Sequence, residues 1–306
     1  MSRNLKDYVG ISVKGVAMGA ADVIPGVSGG TIAFITGIYE ELITSISGVN
    51  LGLFKTLKNE GVKTFWTKLN GNFLLSLLIG IGFSLFTLMR LAHYLIENHP
   101  IKIWAFFFGL VLASIWFVGK QVTRWRLSTF FVFLLGAGIA FGVTQITPAG
   151  GTTSHFYLFF SCAIAICAMI LPGISGAFIL LLLGVYKNVS EAFSRFDFEI
   201  ILIAGLGAVT GLLAFSKILK WLFSHYKNMT LALLTGFILG SLNKIWPWKK
   251  VLETKVVGNK THILAERSVS PTSFEGENHI SIAIVLAIVG FISILLLEKF
   301  GERKTN

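Results

Sequence analysis

Apolar residues run almost unbroken through six stretches of this chain, about 73–97, 102–119, 127–146, 200–223, 229–246 and 279–298. Each approaches the roughly 20 residues with which an α-helix crosses a hydrocarbon core. Between Leu127 and Tyr186 there is no Asp, Glu, Lys or Arg at all. The pattern predicts six transmembrane helices. Two other apolar segments, 9–47 and 155–190, are each interrupted near the middle by Pro-Gly-x-Ser-Gly. They are too long for one crossing and awkward for two, since proline removes a backbone donor and glycine favours unwound backbone. Both read as re-entrant helical hairpins. Unpaired backbone at membrane depth survives only when it is buried in protein or lines a wet cavity, so both breaks are expected in the middle of the bundle.

The same text occurs twice. DVIPGVSGGTIAFITGIYEEL from Asp22 aligns with MILPGISGAFILLLLGVYKNV from Met169 at a constant offset of 147, pairing Pro25, Gly26, Ser28 and Gly29 with Pro172, Gly173, Ser175 and Gly176. A second block repeats at an offset of 127, where FFFGLVLASIW around Gly109 matches LLTGFILGSLN around Gly236, and Arg90 falls on Lys217. An extra polar stretch in the first half, about Asn50 to Asn72, accounts for the change of offset. The expected fold is an all-α polytopic membrane protein with two repeats, 1–146 and 147–306, each a re-entrant hairpin followed by three transmembrane helices. With an odd number of crossings per half, the second repeat is inverted relative to the first.

Composition agrees. With 54% hydrophobic and 13% charged residues, the chain is no water-soluble globule. The excess of 26 basic over 15 acidic residues would suit nucleic acid in a soluble protein, but here the basic residues gather in short loops. That reads as positive-inside orientation, not nucleic-acid binding. Placing both termini in the cytoplasm puts Lys55 to Lys68, Lys120 to Arg126, Lys217 to Lys227 and Lys299 to Lys304 on the inner side. The polar loop 248–279 then lies outside, with VLETKVV and THILAERSV flanking Gly258-Asn259 as a small extracytoplasmic β-hairpin. Trp246-Pro247-Trp248 reads as an interfacial anchor, and the GxxxG spacings at Gly15, Gly138, Gly207 and Gly236 as close helix contacts.

Two facing breaks would aim half-helix N-termini at one midplane point, which makes an anion site. The candidate phosphate-binding residues are Ser28, Gly29, Gly30 and Thr31 in the first break and Ser175 and Gly176 in the second. Arg90 and Lys217 are cations inside apolar spans; they neutralise a phosphate, or they snorkel to the interface. Asp22 has no acidic counterpart, since Met169 takes its place; it carries a coupling proton, or it pairs with Arg90. Cys162 and Cys167 have neither a metal nor a disulfide spacing. No nucleotide loop or HExxH occurs, so neither a cofactor nor a metal is expected, and no catalytic residue stands out.

GAADVIPGVSGGT (Gly19 to Thr31), ILPGISGAFILLLLGVY (Ile170 to Tyr186) and GSLNKIWPW (Gly240 to Trp248) together resemble a bacterial membrane family of polyprenyl-phosphate translocases, first catalogued as a domain of unknown function. The resemblance covers nearly the whole chain. It implies a transporter that returns undecaprenyl phosphate from the outer to the inner leaflet of the cytoplasmic membrane, with the lipid head group at Ser28, Gly29, Ser175 and Gly176. The alternatives are a membrane lipid phosphatase and an importer of small soluble anions. Oligomeric state and coupling ion are not legible in the residues.

Overall fold

The computed structural model describes residues 3–22, 28–146, 154–257 and 260–302. The Pro25-Gly26 pair, residues 147–153 and the Gly258-Asn259 pair lie outside them, as does the side chain of Arg90. Each expected hairpin is three helices. In the first half α1 (Leu5–Asp22) is followed by α2 (Gly29–Ile35) and α3 (Tyr39–Ser47); α4 (Leu51–Lys68), α5 (Gly71–Asn98), α6 (Pro100–Gly119) and α7 (Leu127–Gln145) complete it. In the second half α8 (His155–Ile170), α9 (Gly176–Leu182) and α10 (Tyr186–Arg195) precede α11 (Phe198–His225) and α12 (Lys227–Ser241). A 3-10 turn (Leu242–Ile245), the strands β1 (Lys249–Val257) and β2 (Lys260–Ser268), and α13 (Ile280–Glu302) close the chain.

Among the described residues four helices, Gly71–Met89 within α5, α6, α7 and α11, are long and apolar enough to cross a membrane. The pair α9 and α10 reaches that length only across a bend of 116°. The chain is thus a multi-pass membrane protein, with four to five candidate spans by length and composition among the described residues, where the sequence pattern predicts six. Helix α8 is shorter, at 16 residues, whereas α13 runs for 23. The span expected at 229–246 ends as α-helix at Ser241, tightens into the 3-10 turn and stops before Pro247, which has no amide to continue a helix. Large apolar side chains face outward along the bundle, among them Phe86, Phe156 and Phe198, a surface suited to lipid and not to water. The stretch after Asn50, expected as a polar connection, is instead the helix α4. The Asn50 side chain caps it by accepting from the Leu53 amide at 3.0 Å, and Gly61 kinks it at φ 84°.

Small residues set the packing, as expected where lipid offers no hydrophobic drive between helices. In α5, Gly80 sits against the Ser12 carbonyl of α1; in α11, Gly207 sits against the Phe159 carbonyl of α8. These contacts are equivalent at the two sequence offsets. Likewise Gly109 of α6 meets Ala287 of α13, and Gly236 of α12 meets Phe133 of α7. The third long helix of each half therefore packs on the second of the other half, so neither half closes its core alone. Gly138 has open space beside it and makes no such contact.

The hairpin is antiparallel, with Lys249 opposite Ser268 and Val257 opposite Lys260, and an irregularity around Glu253. It is tied to the bundle by tryptophan. The Trp246 indole donates to the Val269 carbonyl at 2.9 Å and the Trp248 indole to the Asn278 carbonyl at 2.7 Å. Trp248 is buried with Ile101, Ala105 and Ala283. It is therefore a core residue fastening the hairpin, where an interfacial anchor was expected; only Trp246 is partly open.

Candidate functional site

The two breaks touch. Ser28 is extended (φ −122°, ψ 132°) and caps α2, its hydroxyl accepting from the Gly30 amide at 3.1 Å. The same hydroxyl lies 3.0 Å from the Met169 carbonyl and 3.3 Å from that of Leu171, to which it donates. Those carbonyls belong to the C-terminal end of α8, where a helix leaves its last acceptors without partners. The first break thus satisfies the second. Thr31, almost fully buried, accepts from the Gly173 amide at 3.1 Å. Gly173 has φ 86°, and a Cβ there would lie 2.9 Å from Ile238 Cα of α12, so both conformation and space require glycine. A Cβ on Gly30 would fall onto the Ile170 carbonyl, which shows how closely the two segments approach.

Asp22 ends α1 and returns to the same point, where its Oδ1 accepts from the Gly29 amide at 2.7 Å. A carboxylate therefore occupies the first free amide of α2. The counterpart differs: Ser175 is extended at the start of α9 but makes no capping hydrogen bond. Thr31 has Phe178 as its equivalent at the offset of 147, and the Lys244 ammonium lies 4.8 Å above that ring.

The two cations that the sequence places inside apolar spans lie toward the levels of the breaks. Gly207 closes on Phe159 and Gly211 on Ala163, 48 positions apart each time, and that separation sets Lys217 level with Met169. In the first half the α1–α5 contacts, Gly80 on Ser12, Gly15 on Leu77 and Gly19 on Ile81, are 62 to 68 positions apart, which sets the Arg90 backbone at or beyond the C-terminal end of α1. The Lys217 side chain is exposed. It shares a face with Trp221, one turn on, away from buried Ser216, Leu219 and Phe223. The structure thus brings Ser28, Gly30 and Thr31 against the 169–173 segment, with Asp22 on the Gly29 amide and with Ser175 and Gly176 next in the chain, and leaves the Lys217 side chain on the outer surface.

Residues 18–262 match the model of a family described as undecaprenyl phosphate translocase-like. The chain belongs to this family. It is 45% identical over 308 residues to the polyprenyl-phosphate transporter of Vibrio cholerae, covering 99% of this chain and 100% of the relative. It is 35% identical over 253 residues to the polyprenyl-phosphate transporter of Staphylococcus aureus, covering 77% of this chain and 85% of that relative. No solved structure matches the chain.

For a member of a translocase-like family, the polar groups near Phe178 carry interest that the sequence did not flag. Lys244, Lys249 and Glu266 converge there from the 3-10 turn and both strands. Lys244 stands in GSLNKIWPW, one of the blocks on which the family resemblance rests. The available signal was a lysine within one turn of an apolar helix end, but its partner Glu266 is 22 positions away and only the hairpin brings it back.

Proposed function

We propose that this protein carries the phosphate head of a polyprenyl phosphate, undecaprenyl phosphate in the first instance, from the outer to the inner leaflet of a bacterial cytoplasmic membrane. Both termini face the cytoplasm, the hairpin lies outside, and the repeats are inverted with re-entrant first segments. A phosphate monoester carries close to two negative charges, whose transfer into hydrocarbon is prohibitive, whereas the isoprenoid tail stays in lipid throughout. The protein need only shelter the head.

The observation that carries this reading is the direct contact between the two breaks, Ser28 with Met169 and Leu171, and Thr31 with Gly173. Moving the repeats apart at this seam exposes the Ser28 hydroxyl, the Gly29 and Gly30 amides and the start of α9 at Ser175 and Gly176 to one anion. In the closed form Asp22 holds the Gly29 amide. Protonation of Asp22 weakens that hold and releases the amide to phosphate, so one residue couples proton to substrate. Arg90, whose backbone lies at or beyond the end of α1, neutralises the bound head, and Lys217 meets it on the lipid-facing side.

The test is leaflet transfer of a labelled polyprenyl phosphate by purified protein in proteoliposomes, beside its neutral alcohol. The expected result is transfer of the phosphate alone. Release of inorganic phosphate would favour a lipid phosphatase instead, and uptake of a soluble anion with no lipid transfer would favour an importer.

A further inference from the structure

The two ends of α12 open into cavities of different make. At the Lys227 end lies a cavity of about 180 Å³, where Lys227 is paired by Glu40 at 2.7 Å. At the opposite end a cavity of about 280 Å³ lies between the C-terminus of α7, the 3-10 turn and the hairpin. Its lining includes Thr144, Gln145, Lys244, Lys249, Glu266 and Arg267. Among the described residues there, three cations face one carboxylate.

The cations are not evenly satisfied. Lys244 and Lys249 reach the same oxygen, Glu266 Oε1, at 3.0 and 2.9 Å. Lys249 also donates to the Lys244 carbonyl at 2.6 Å and lies 4.9 Å above the Trp104 ring. Its side chain is only 11% exposed. Burial draws the Lys249 ammonium below its ordinary pKa and the like charge of Lys244 adds to this, while Glu266 restores only part. Burial alone would raise the Glu266 carboxyl, but Lys249 and Lys244 together outweigh it and hold it below the usual range. A partly desolvated wall with more positive than negative charge is stabilised by a further anion.

We propose that this cavity is a receiving site for a phosphomonoester dianion, held by Lys244, Lys249 and Arg267 before it moves past Phe178 to the second break. Phe178 lies two residues beyond Gly176, and Lys244 spans the distance by resting on its ring. The proposal rests on the transport reading above and on its orientation, which turns this end of α12 to the outer leaflet. The ligand chemistry is shared by a lipid head group and free phosphate. Glu266 acts as the competing anion that keeps the lysines together when the cavity is empty.

The experiment uses the full chain in nanodiscs, with farnesyl monophosphate, inorganic phosphate and farnesol as probes, measured by calorimetry on wild type and on K244Q, K249Q, R267Q and E266Q. Each cation variant is expected to weaken farnesyl monophosphate binding at least about tenfold, as for loss of one charge-assisted contact. E266Q is expected to tighten it. A purely structural ion cluster predicts the opposite sign for E266Q, so weaker binding in that variant overturns the proposal. Unchanged binding in R267Q, whose exposed side chain spares the fold, overturns it too, as does unchanged binding in folded K244Q and K249Q. Inorganic phosphate binding as tightly as the prenyl ester assigns the site to free phosphate; tighter prenyl binding assigns it to lipid. In proteoliposomes the cation variants should raise KM for polyprenyl phosphate with kcat nearly unchanged. Absent transfer by wild type removes the transport reading itself, whereas wild-type transfer with KM unmoved in the variants removes only this site.

Discussion

Replacing Ser28 by Ala removes one hydroxyl that serves both halves of the molecule. The Gly30 amide loses its capping acceptor at 3.1 Å, a loss that costs about 1 kcal/mol at a typical helix N-cap. The Met169 and Leu171 carbonyls lose their donor at the end of α8, and a buried acceptor left without a partner costs a further ~1–3 kcal/mol. Ser28 is 1% exposed, so water does not compensate. The expected destabilisation is roughly 2–4 kcal/mol by these two contributions. Ser175→Ala is the internal control. It occupies the equivalent position but makes no capping bond, so it should cost less than about 0.5 kcal/mol. Both variants should slow lipid transfer, because both hydroxyls are assigned to the phosphate. Unfolding of each purified variant in the same detergent separates the two effects. Equal stability losses for the two serines, or none for Ser28→Ala, would refute the seam as a structural joint.

Further outcomes follow from other contacts. Gly236→Ala places a methyl group on the Phe133 carbonyl and should destabilise by about 1–3 kcal/mol, whereas Gly138→Ala, with open space around it, should be near neutral; thermal unfolding of both checks this. The Glu266 carboxyl titrates below its ordinary value of 4.5, so its stabilisation of the hairpin is complete above that pH and is lost as pH falls through the depressed value. Hydrogen exchange of the β1 and β2 amides should therefore accelerate on acidification in wild type and much less so in Glu266→Gln. Arg90→Ala should abolish lipid transfer with the protein still folded, and normal transfer would remove Arg90 from the site. Asp22→Asn should transfer lipid without dependence on a pH gradient; a retained dependence would place the coupling proton elsewhere.

How much of this was legible before the structure depends on whether the signal was local. Apolar runs and the doubled Pro-Gly-x-Ser-Gly are local, and they located the long helices and Ser28, Thr31 and Ser175. The offset of 127 is also local, and it anticipated that Gly109 and Gly236 would be equivalent. The partners of those glycines were not legible. Ala287 and Phe133 come from opposite halves, and exchange of helices between repeats leaves no trace in either helix alone. Polarity misled at Asn50 to Asn72, where lysines on a largely exposed helix read as a loop. It misled again at Trp248, whose aromatic type fits an interface but whose neighbours Ile101 and Ala283 make it core. Lys249 is the hardest case: a lysine in a polar loop gives no sign that a hairpin will fold it onto Trp104 and Glu266.

The central claim is that both breaks hold the same phosphate, and covalent capture tests it most directly. A polyprenyl phosphate analogue with a photoreactive group at the head, activated on protein turning over in proteoliposomes and mapped by mass spectrometry, is predicted to label residues 22–31 and 169–176 in the same preparation. Labelling confined to one of these segments, or found only on the outward faces of α5 and α11, would contradict it.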